Sequence, residues 1–197
     1  MLTVIDNFID DVHANVFADE AENQLLWKPS WNEDLADGWL WHAPLDIDRQ
    51  NPLGTTQYID VDSLEAHQRA LWEAASYAIH ELTGVVHKPQ RFYTNSHTFG
   101  QDGYIHTDDG DVTILYYPCK DWAIEWEGGT SFYNEDVTDC IGYAAYKFNR
   151  AVIFDAKIPH RAMPVTRSCY KLRSSVVFKS SMDTDHPTYE QWFNARY

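Results

Sequence analysis

The chain has 197 residues, of which 44% are hydrophobic and 15% aromatic, so it can form the core of one folded domain and is not disordered by composition. Thirty acidic residues against 15 basic ones give a net charge of −15, which disfavours nucleic acid and anionic membrane surfaces as partners. Three cysteines without CxxC spacing, together with no signal-peptide pattern and no apolar run of membrane-spanning length, predict a cytoplasmic protein with reduced thiols.

The N-terminal quarter of the chain predicts one strand, one helix and then long loops. Residues 2–9 alternate apolar and polar side chains, as expected of an edge strand. Residues 13–26 have the apolar spacing of a helix. Residues 27–57 lose this periodicity and contain four tryptophans. We interpret this tryptophan-rich segment as ordered loops and as a candidate lid or substrate wall.

The clearest predicted helix covers residues 62–84. Asp62 can cap its first turn in a capping box with Glu65, and Gly84 stands where the helix should stop. The apolar residues that fall roughly on one face, and that should pack on a sheet, are Leu64, Leu71, Ala75, Ala78 and Leu82.

The second half of the chain predicts short strands separated by turn residues. Eight such segments between residues 90 and 180 follow the helical region. This order predicts a mainly β fold with flanking helices, a double-stranded β-helix (a cupin-like jelly roll) buttressed by N-terminal helices. We expect one domain, in which residues 1–89 form the N-terminal strand, helices and loops, 90–180 the jelly-roll core, and 181–197 a tail with a final short helix.

A histidine and an aspartate stand two residues apart in a predicted strand over residues 103–108. Because residues i and i+2 of a strand project to the same side, His106 and Asp108 can form two arms of a metal site. Two histidines and one carboxylate on a triangular face are typical of non-haem Fe(II) oxygenases. The HxD pattern alone is not specific, and residues 108–111 (DDGD) can equally form a solvated acidic turn or a weak site for a hard cation.

The downstream sequence strengthens the metal-site interpretation. His160 lies 52 residues after Asp108, far enough for the strands that bring two ends of a jelly roll together. The order HxD, GGTSF, a His followed by Pro-Val, and a strand opened by Arg173 resembles the prolyl-hydroxylase-like group of Fe(II)/2-oxoglutarate-dependent oxygenases. The resemblance covers roughly residues 90–180.

The resemblance implies specific roles for several side chains. His106, Asp108 and His160 would bind Fe(II), and Arg173 would bind the distal carboxylate of 2-oxoglutarate through two parallel hydrogen bonds. Arg173 follows His160 by thirteen residues, further than is usual in the family. Lys171, which has the same strand parity, or the neighbouring Arg167 could therefore take its place.

Further residues of two strands are candidate cosubstrate contacts. By the same resemblance, Tyr117 would hydrogen-bond the distal carboxylate, and Leu115 on the same face would form a wall of its pocket. Tyr93 and Asn95 on the preceding strand are also expected to point inward. The glycines of GGTSF more simply serve strand geometry, because glycine permits a bulge or a close backbone approach.

The resemblance further implies an activity. Fe(II), 2-oxoglutarate and O2 would together hydroxylate a C–H bond and release succinate and CO2, with ascorbate as a supporting reductant. A prolyl residue in a protein or peptide is the substrate that the subgroup suggests, and a small metabolite is the other candidate. Two alternatives stay open at this point: a cupin-like metal enzyme that does not use 2-oxoglutarate, and a non-catalytic jelly-roll binding protein.

Overall fold

A computed structural model describes residues 1–25, 27–29, 40–45 and 58–186. Most of the tryptophan-rich segment and the predicted C-terminal helix lie outside these residues. The helices and strands are β1 (Leu2–Asp6), α1 (Asp11–Asp19), β2 (Lys28–Pro29), β3 (Trp41–Pro44), α2 (Ala66–Thr83), β4 (His87–His97), β5 (Val112–Tyr117), β6 (Thr130–Tyr133), β7 (Cys140–Ala144), β8 (Arg150–Asp155), β9 (His160–Ala162) and β10 (Arg173–Met182). None of the helices in the described part of the chain has the length and apolar character needed to cross a membrane.

The strands form two antiparallel sheets. The larger sheet has seven strands in the order β1-β8-β5-β10-β4-β3-β2, and the smaller has the order β7-β6-β9. Strand β10 pairs with β5 on one side and with β4 on the other, so it lies near the middle of the larger sheet. This arrangement confirms the predicted mainly β jelly roll with flanking helices.

Alternation along the central strands divides the core into two layers. Ile114 and Tyr116 of β5 pack with helices α1 and α2 on one face of the larger sheet. Leu115 and Tyr117 point the other way and pack with Phe132 of the smaller sheet. Every second side chain of β5 therefore points into the space between the two sheets, and the side chains of β10 alternate in the same way.

Helix α2 begins later than the sequence predicts. Its first residue is Ala66 and its N-cap is Glu65, whose backbone N–H donates to the Gln68 side chain at 3.2 Å. The predicted cap, Asp62, instead belongs to a preceding 3-10 turn, so that prediction is wrong. Asp60 competes successfully for this stretch because its side chain accepts from the Asp62 N–H and closes the earlier turn. The predicted stop at Gly84 is confirmed, with φ at 72°.

The buried face of α2 is also displaced from the prediction. Leu71 and Ala75 are fully buried as expected, but Leu82 is 45% exposed, and Trp72 and Ile79 contribute to the core in its place. The later start of the helix does not alter the helical spacing of its buried residues. The buried stripe simply runs through Leu71, Ala75 and Ile79 and leaves Leu82 beside solvent.

Two leucines of α2 provide a matched test of this core. Leu71→Ala is expected to lower the free energy of unfolding by about 2–5 kcal/mol, because it leaves a cavity between helix and sheet. Leu82→Ala, the control, should change it by no more than about 0.5 kcal/mol. Urea denaturation of both variants measures the difference. Equal losses would contradict the observed orientation of the helix.

Residues 103–108 do not form the predicted strand. Their backbone makes one isolated bridge, between His106 and His160, and separate hydrogen bonds from Gly103 to Ala162 and from Asp108 to Ala156. A regular antiparallel ladder would move the partner by two residues between positions 106 and 108. Here the partner moves from His160 to Ala156, because residues 155–158 form a turn in which the Ile158 N–H donates to the Asp155 carbonyl at 3.0 Å. The segment is irregular but tied to the β9 edge.

Candidate metal and carboxylate site

Three predicted ligand residues meet at one end of the space between the sheets. The potential donor atoms of His106, Asp108 and His160 all lie within 4.8 Å of one another. Asp108 Oδ2 is 3.5 Å from His160 Nε2, and Asp108 Oδ1 is 3.8 Å from His106 Nε2. The structure therefore brings together the two histidines and one carboxylate that the sequence predicts, although not through a shared strand.

The backbone fixes which nitrogen of each histidine faces the site. His106 Nδ1 donates to the Tyr104 carbonyl at 3.0 Å, and His160 Nδ1 donates to the Ile158 carbonyl at 2.9 Å. Each ring is therefore held in the tautomer that leaves Nε2 as an electron-pair donor. Burial lowers the pKa of His160 to about 4, so this ring is neutral at physiological pH.

Asp108 is buried and held from two sides. Thr113 of β5 donates its hydroxyl to Oδ2 at 2.6 Å, and the Lys179 ammonium of β10 lies 3.0 Å from Oδ1. Burial raises the pKa of Asp108, but Lys179, His160 and Thr113 outweigh it, so the pKa lies below its ordinary value. The carboxylate is therefore ionised and available as a ligand.

The donor set fits a divalent first-row metal ion. With bonds of about 2.1 Å, ligands at right angles around a metal lie about 3 Å apart, slightly closer than the distances observed among these donors. Two neutral imidazoles and one carboxylate suit Fe(II), with further positions open for other ligands. The three donors, which lie within 4.8 Å of one another, would move closer together to reach bonding distance.

The same pocket contains a fully buried arginine. Arg173, the first residue of β10, is 1% exposed. Its Nε donates to the Gly128 carbonyl at 2.7 Å, and its Nη1 donates to the Ser175 hydroxyl at 3.1 Å. Among the described residues, no aspartate or glutamate forms an ion pair with this guanidinium. A buried cation without an anionic partner is unfavourable unless a ligand supplies the negative charge.

One pocket, along the inner face of the larger sheet, contains both the His-Asp-His cluster and the arginine. Its lining residues are Leu40, Tyr93, Asn95, His97, Gly103, Tyr104, His106, Asp108, Thr113, Leu115, Thr130, Phe154, His160, Ala162, Arg173, Ser175 and Val177. The three ligand candidates and the arginine thus share one cavity. Leu115, Tyr93 and Asn95 are among the lining residues, as the sequence predicts.

Tyr117 does not line this pocket, although its ring contacts the arginine. The guanidinium carbon of Arg173 lies 5.5 Å from the centre of the Tyr117 ring, and the Tyr117 hydroxyl donates to Thr130 Oγ1 at 2.8 Å. Thr130 also accepts from Arg173 Nη2 at 3.3 Å, so its own hydroxyl proton remains available to a ligand. Thr130, which lines the pocket, thus links the Tyr117 hydroxyl to the arginine.

The two alternative anchors lie elsewhere. Lys171 precedes β10 rather than belonging to it, so strand parity does not apply, and its ammonium is bound to Glu22 at 3.0 Å and to the Lys120 carbonyl at 3.0 Å. Arg167 is exposed in a turn. Neither of these two residues lines the pocket. Arg173 is the basic residue that the structure places there.

The glycines of GGTSF shape the arginine end of the site. A Cβ atom on Gly128, whose φ is +73°, would lie 2.8 Å from Val165 Cγ1, and one on Gly129 would lie 2.4 Å from the Ala144 carbonyl oxygen. Neighbouring atoms therefore lie too close to the backbone at both positions for a residue with a side chain. Their carbonyls also accept from the Arg173 guanidinium, at 2.7 and 3.5 Å. These contacts orient the arginine side chain.

Sequence reasoning missed three residues of the site. Lys179 is an even number of residues after Arg173 in β10, so the two side chains are expected on the same face of the sheet. A lysine within the hydrophobic run VVFKS could therefore have indicated a residue of the site. Thr130 stands within GGTSF and could have been found there. Thr113 gives no comparable signal, because its contact with Asp108 depends on the turn at residues 109–111.

Comparison with solved structures identifies proteins that share this fold. No protein-family model matches the sequence, and no curated protein matches it significantly. Among solved structures, a Trichoplax adhaerens prolyl hydroxylase in complex with a hypoxia inducible factor peptide fragment covers 100% of this chain and 87% of its own, with 14% identity and a TM-score of 0.56.

Two further structures give similar values. A Burkholderia pseudomallei oxidoreductase of the 2OG-Fe(II) oxygenase family has 11% identity and a TM-score of 0.62, covering 91% of this chain and 84% of its own. HygX from Streptomyces hygroscopicus, with nickel, 2-oxoglutarate and hygromycin B bound, has 9% identity and a TM-score of 0.59, covering 90% and 82%. At these identities the likeness establishes the fold, which is that of 2OG-Fe(II) oxygenases and prolyl hydroxylases.

Proposed function

We propose that this chain is a 2-oxoglutarate- and Fe(II)-dependent dioxygenase that hydroxylates a C–H bond. One observation carries the proposal: a two-histidine, one-carboxylate cluster and a buried arginine without a carboxylate partner among the described residues line the same pocket. The first group suits Fe(II) and the second suits the distal carboxylate of a dicarboxylic acid. The fold shared with 2OG-Fe(II) oxygenases supports the combination.

Each part of the pocket has a separate task in this proposal. His106, Asp108 and His160 hold the metal, while Arg173 and the Thr130 hydroxyl bind the far carboxylate of 2-oxoglutarate. Iron with 2-oxoglutarate and O2 supplies the oxidising power for hydroxylation, with succinate and CO2 as products. The apolar side chains of Leu115 and Val177 also line the pocket and would lower its polarity.

The substrate class that we propose is a prolyl residue in a protein or peptide. Support comes from the similar Trichoplax prolyl hydroxylase, which was solved with a peptide fragment bound. A small metabolite is the second candidate, since HygX was solved with hygromycin B. The net charge of −15 disfavours a nucleic acid substrate.

The most direct test of the proposal is optical. Anaerobic addition of Fe(II) and then 2-oxoglutarate is expected to produce a weak visible charge-transfer band, because the cosubstrate chelates the metal. His160→Ala should remove the band, since it removes one of the three protein ligands. Absence of a band in the unmodified protein, or its persistence in His160→Ala, would contradict the assignment.

Turnover distinguishes the substrate classes and the alternative functions. Succinate release is measured with a peptide pool and separately with a metabolite pool, with ascorbate present to keep iron reduced. Peptide-dependent release supports the prolyl proposal, and metabolite-dependent release supports the second candidate. Metal binding without any 2-oxoglutarate turnover would instead favour a cupin-like enzyme or a binding protein.

A further inference from the structure

A lysine lies buried against the carboxylate that the metal would use. Lys179 Nζ is 3.0 Å from Asp108 Oδ1, and the two side chains are 8% and 5% exposed. Lys179 also contacts the carboxylate of Asp109, the next residue in the chain, whose side chain is 61% exposed. One ammonium thus bridges two consecutive aspartates, of which the first faces the metal site and the second faces solvent.

Lys179 supplies the permanent positive charge at this carboxylate. Three cationic or potentially cationic side chains of the described residues approach the Asp108 carboxylate: His106, His160 and Lys179. Lys179 Nζ is 3.0 Å from Asp108 Oδ1, whereas His160 Nε2 is 3.5 Å from Oδ2 and His106 Nε2 is 3.8 Å from Oδ1. In the absence of a metal ion, the negative charge of Asp108 is therefore balanced chiefly by Lys179.

The position of Lys179 beside the site is fixed by its place in the sheet. The lysine belongs to the central strand β10, where its backbone pairs with Arg91 on one side and with Thr113 on the other. Its second partner, Asp109, is also 3.5 Å from the Arg91 guanidinium. A metal ion at Asp108 and the Lys179 ammonium would consequently share one carboxylate at close range, inside a pocket that screens charge poorly.

We propose that Lys179 is a resident counter-ion of the metal site, which stabilises the metal-free protein and at the same time weakens metal binding. The inference rests on the proposed function only in requiring a divalent ion at His106, Asp108 and His160. Without metal, the ammonium compensates a buried carboxylate that would otherwise be costly. With metal, the same ammonium repels the ion and competes for the electron pairs of Asp108, so binding is weaker than the ligand set alone would give.

Mn(II) affinity tests this proposal directly, with free Mn(II) measured by electron paramagnetic resonance. Lys179→Met is expected to bind Mn(II) about tenfold more tightly than the unmodified protein, because the repelling charge is removed. Lys179→Arg keeps the charge and should stay within about threefold. Lys157→Met is the matched control: it removes a nearby charge that contacts the Asp108 backbone carbonyl at 3.0 Å rather than the carboxylate, and should also stay within about threefold.

Thermal unfolding of the same variants provides a second readout. Metal-free Lys179→Met should melt at a lower temperature than the unmodified protein, and saturating Mn(II) should raise its melting temperature by a larger amount. If Lys179→Met does not fold, Asp109→Asn serves instead, because its side chain is mostly exposed. That variant leaves the lysine with Asp108 as its remaining carboxylate partner and should weaken Mn(II) binding several-fold.

The outcomes separate this inference from the proposed function. Mn(II) binding that is unchanged or weaker in Lys179→Met, or unchanged in Asp109→Asn, overturns the counter-ion role while leaving the metal site intact. An equal increase of Mn(II) affinity in Lys157→Met also overturns the counter-ion role, because the effect would then come from the loss of any nearby positive charge. Failure of the unmodified protein to bind Mn(II) at all would overturn both the metal site and the inference.

Discussion

Replacing Arg173 with methionine should raise the concentration of 2-oxoglutarate needed for half-saturation by at least about 30-fold. The guanidinium is the cation that the structure places in the pocket, and loss of a buried, hydrogen-bonded charge partner costs about 2–5 kcal/mol. Arg173→Lys keeps the charge but loses the planar fork, so an intermediate loss is expected. Titration of the charge-transfer band and the KM for 2-oxoglutarate in succinate release both measure the effect.

Lys171→Met is the matched control for this variant. Lys171 lies two residues away in the chain, but its ammonium is held by Glu22 and the Lys120 carbonyl outside the pocket. Its removal should leave the affinity for 2-oxoglutarate unchanged within about twofold. A large loss of 2-oxoglutarate affinity in Lys171→Met, with normal affinity in Arg173→Met, would show that the lysine and not the arginine binds the cosubstrate.

Asp108→Asn should weaken divalent metal binding by at least about 100-fold. The substitution keeps the shape of the side chain and a hydrogen-bonding partner for Thr113, but it removes the one anionic ligand of the cluster. It also leaves Lys179 with Asp109 as its remaining carboxylate, so the buried ammonium adds to the repulsion of a metal ion. Equilibrium Mn(II) binding measures the loss.

Asp136→Asn controls for the loss of one negative charge from an acidic protein. Asp136 is exposed in the turn between β6 and β7 and forms no part of the pocket. It should bind Mn(II) with unchanged affinity. Comparable weakening in both variants would mean that the metal ion responds to the overall charge rather than to a site built from His106, Asp108 and His160.

The sequence was sufficient to predict the jelly roll and the residues of the central cluster. Alternation in β5 placed Leu115 on the inner face of the sheet, because side chains of a strand project to opposite faces in turn, whereas Arg173 was predicted from the resemblance in motif order. The separation of Asp108 from His160 also predicted, correctly, that they meet across the fold. Such features depend on local periodicity and on the order of elements, and both can be recognised in the amino-acid sequence.

Other features depend on contacts between distant segments and could not be predicted in the same way. The irregular path at residues 103–108 accompanies a turn at residues 155–158 of the opposite segment. The hydroxyl of Tyr117 donates to Thr130, a residue of the other sheet, at 2.8 Å. The choice of Glu65 over Asp62 as helix cap arises from competition with the turn begun by Asp60. In each place a tertiary or neighbouring hydrogen bond outweighed the local pattern.

The reciprocal backbone bridge between His106 and His160 determines how the site would respond to loading. The N–H of each residue donates to the carbonyl of the other, at 3.0 and 2.9 Å, so the chain between them is already a closed loop. Joining two distant residues normally requires the loss of loop entropy, but here that loss belongs to folding. The closing of this loop would therefore add no further entropy cost to the binding of a metal ion at the two histidines.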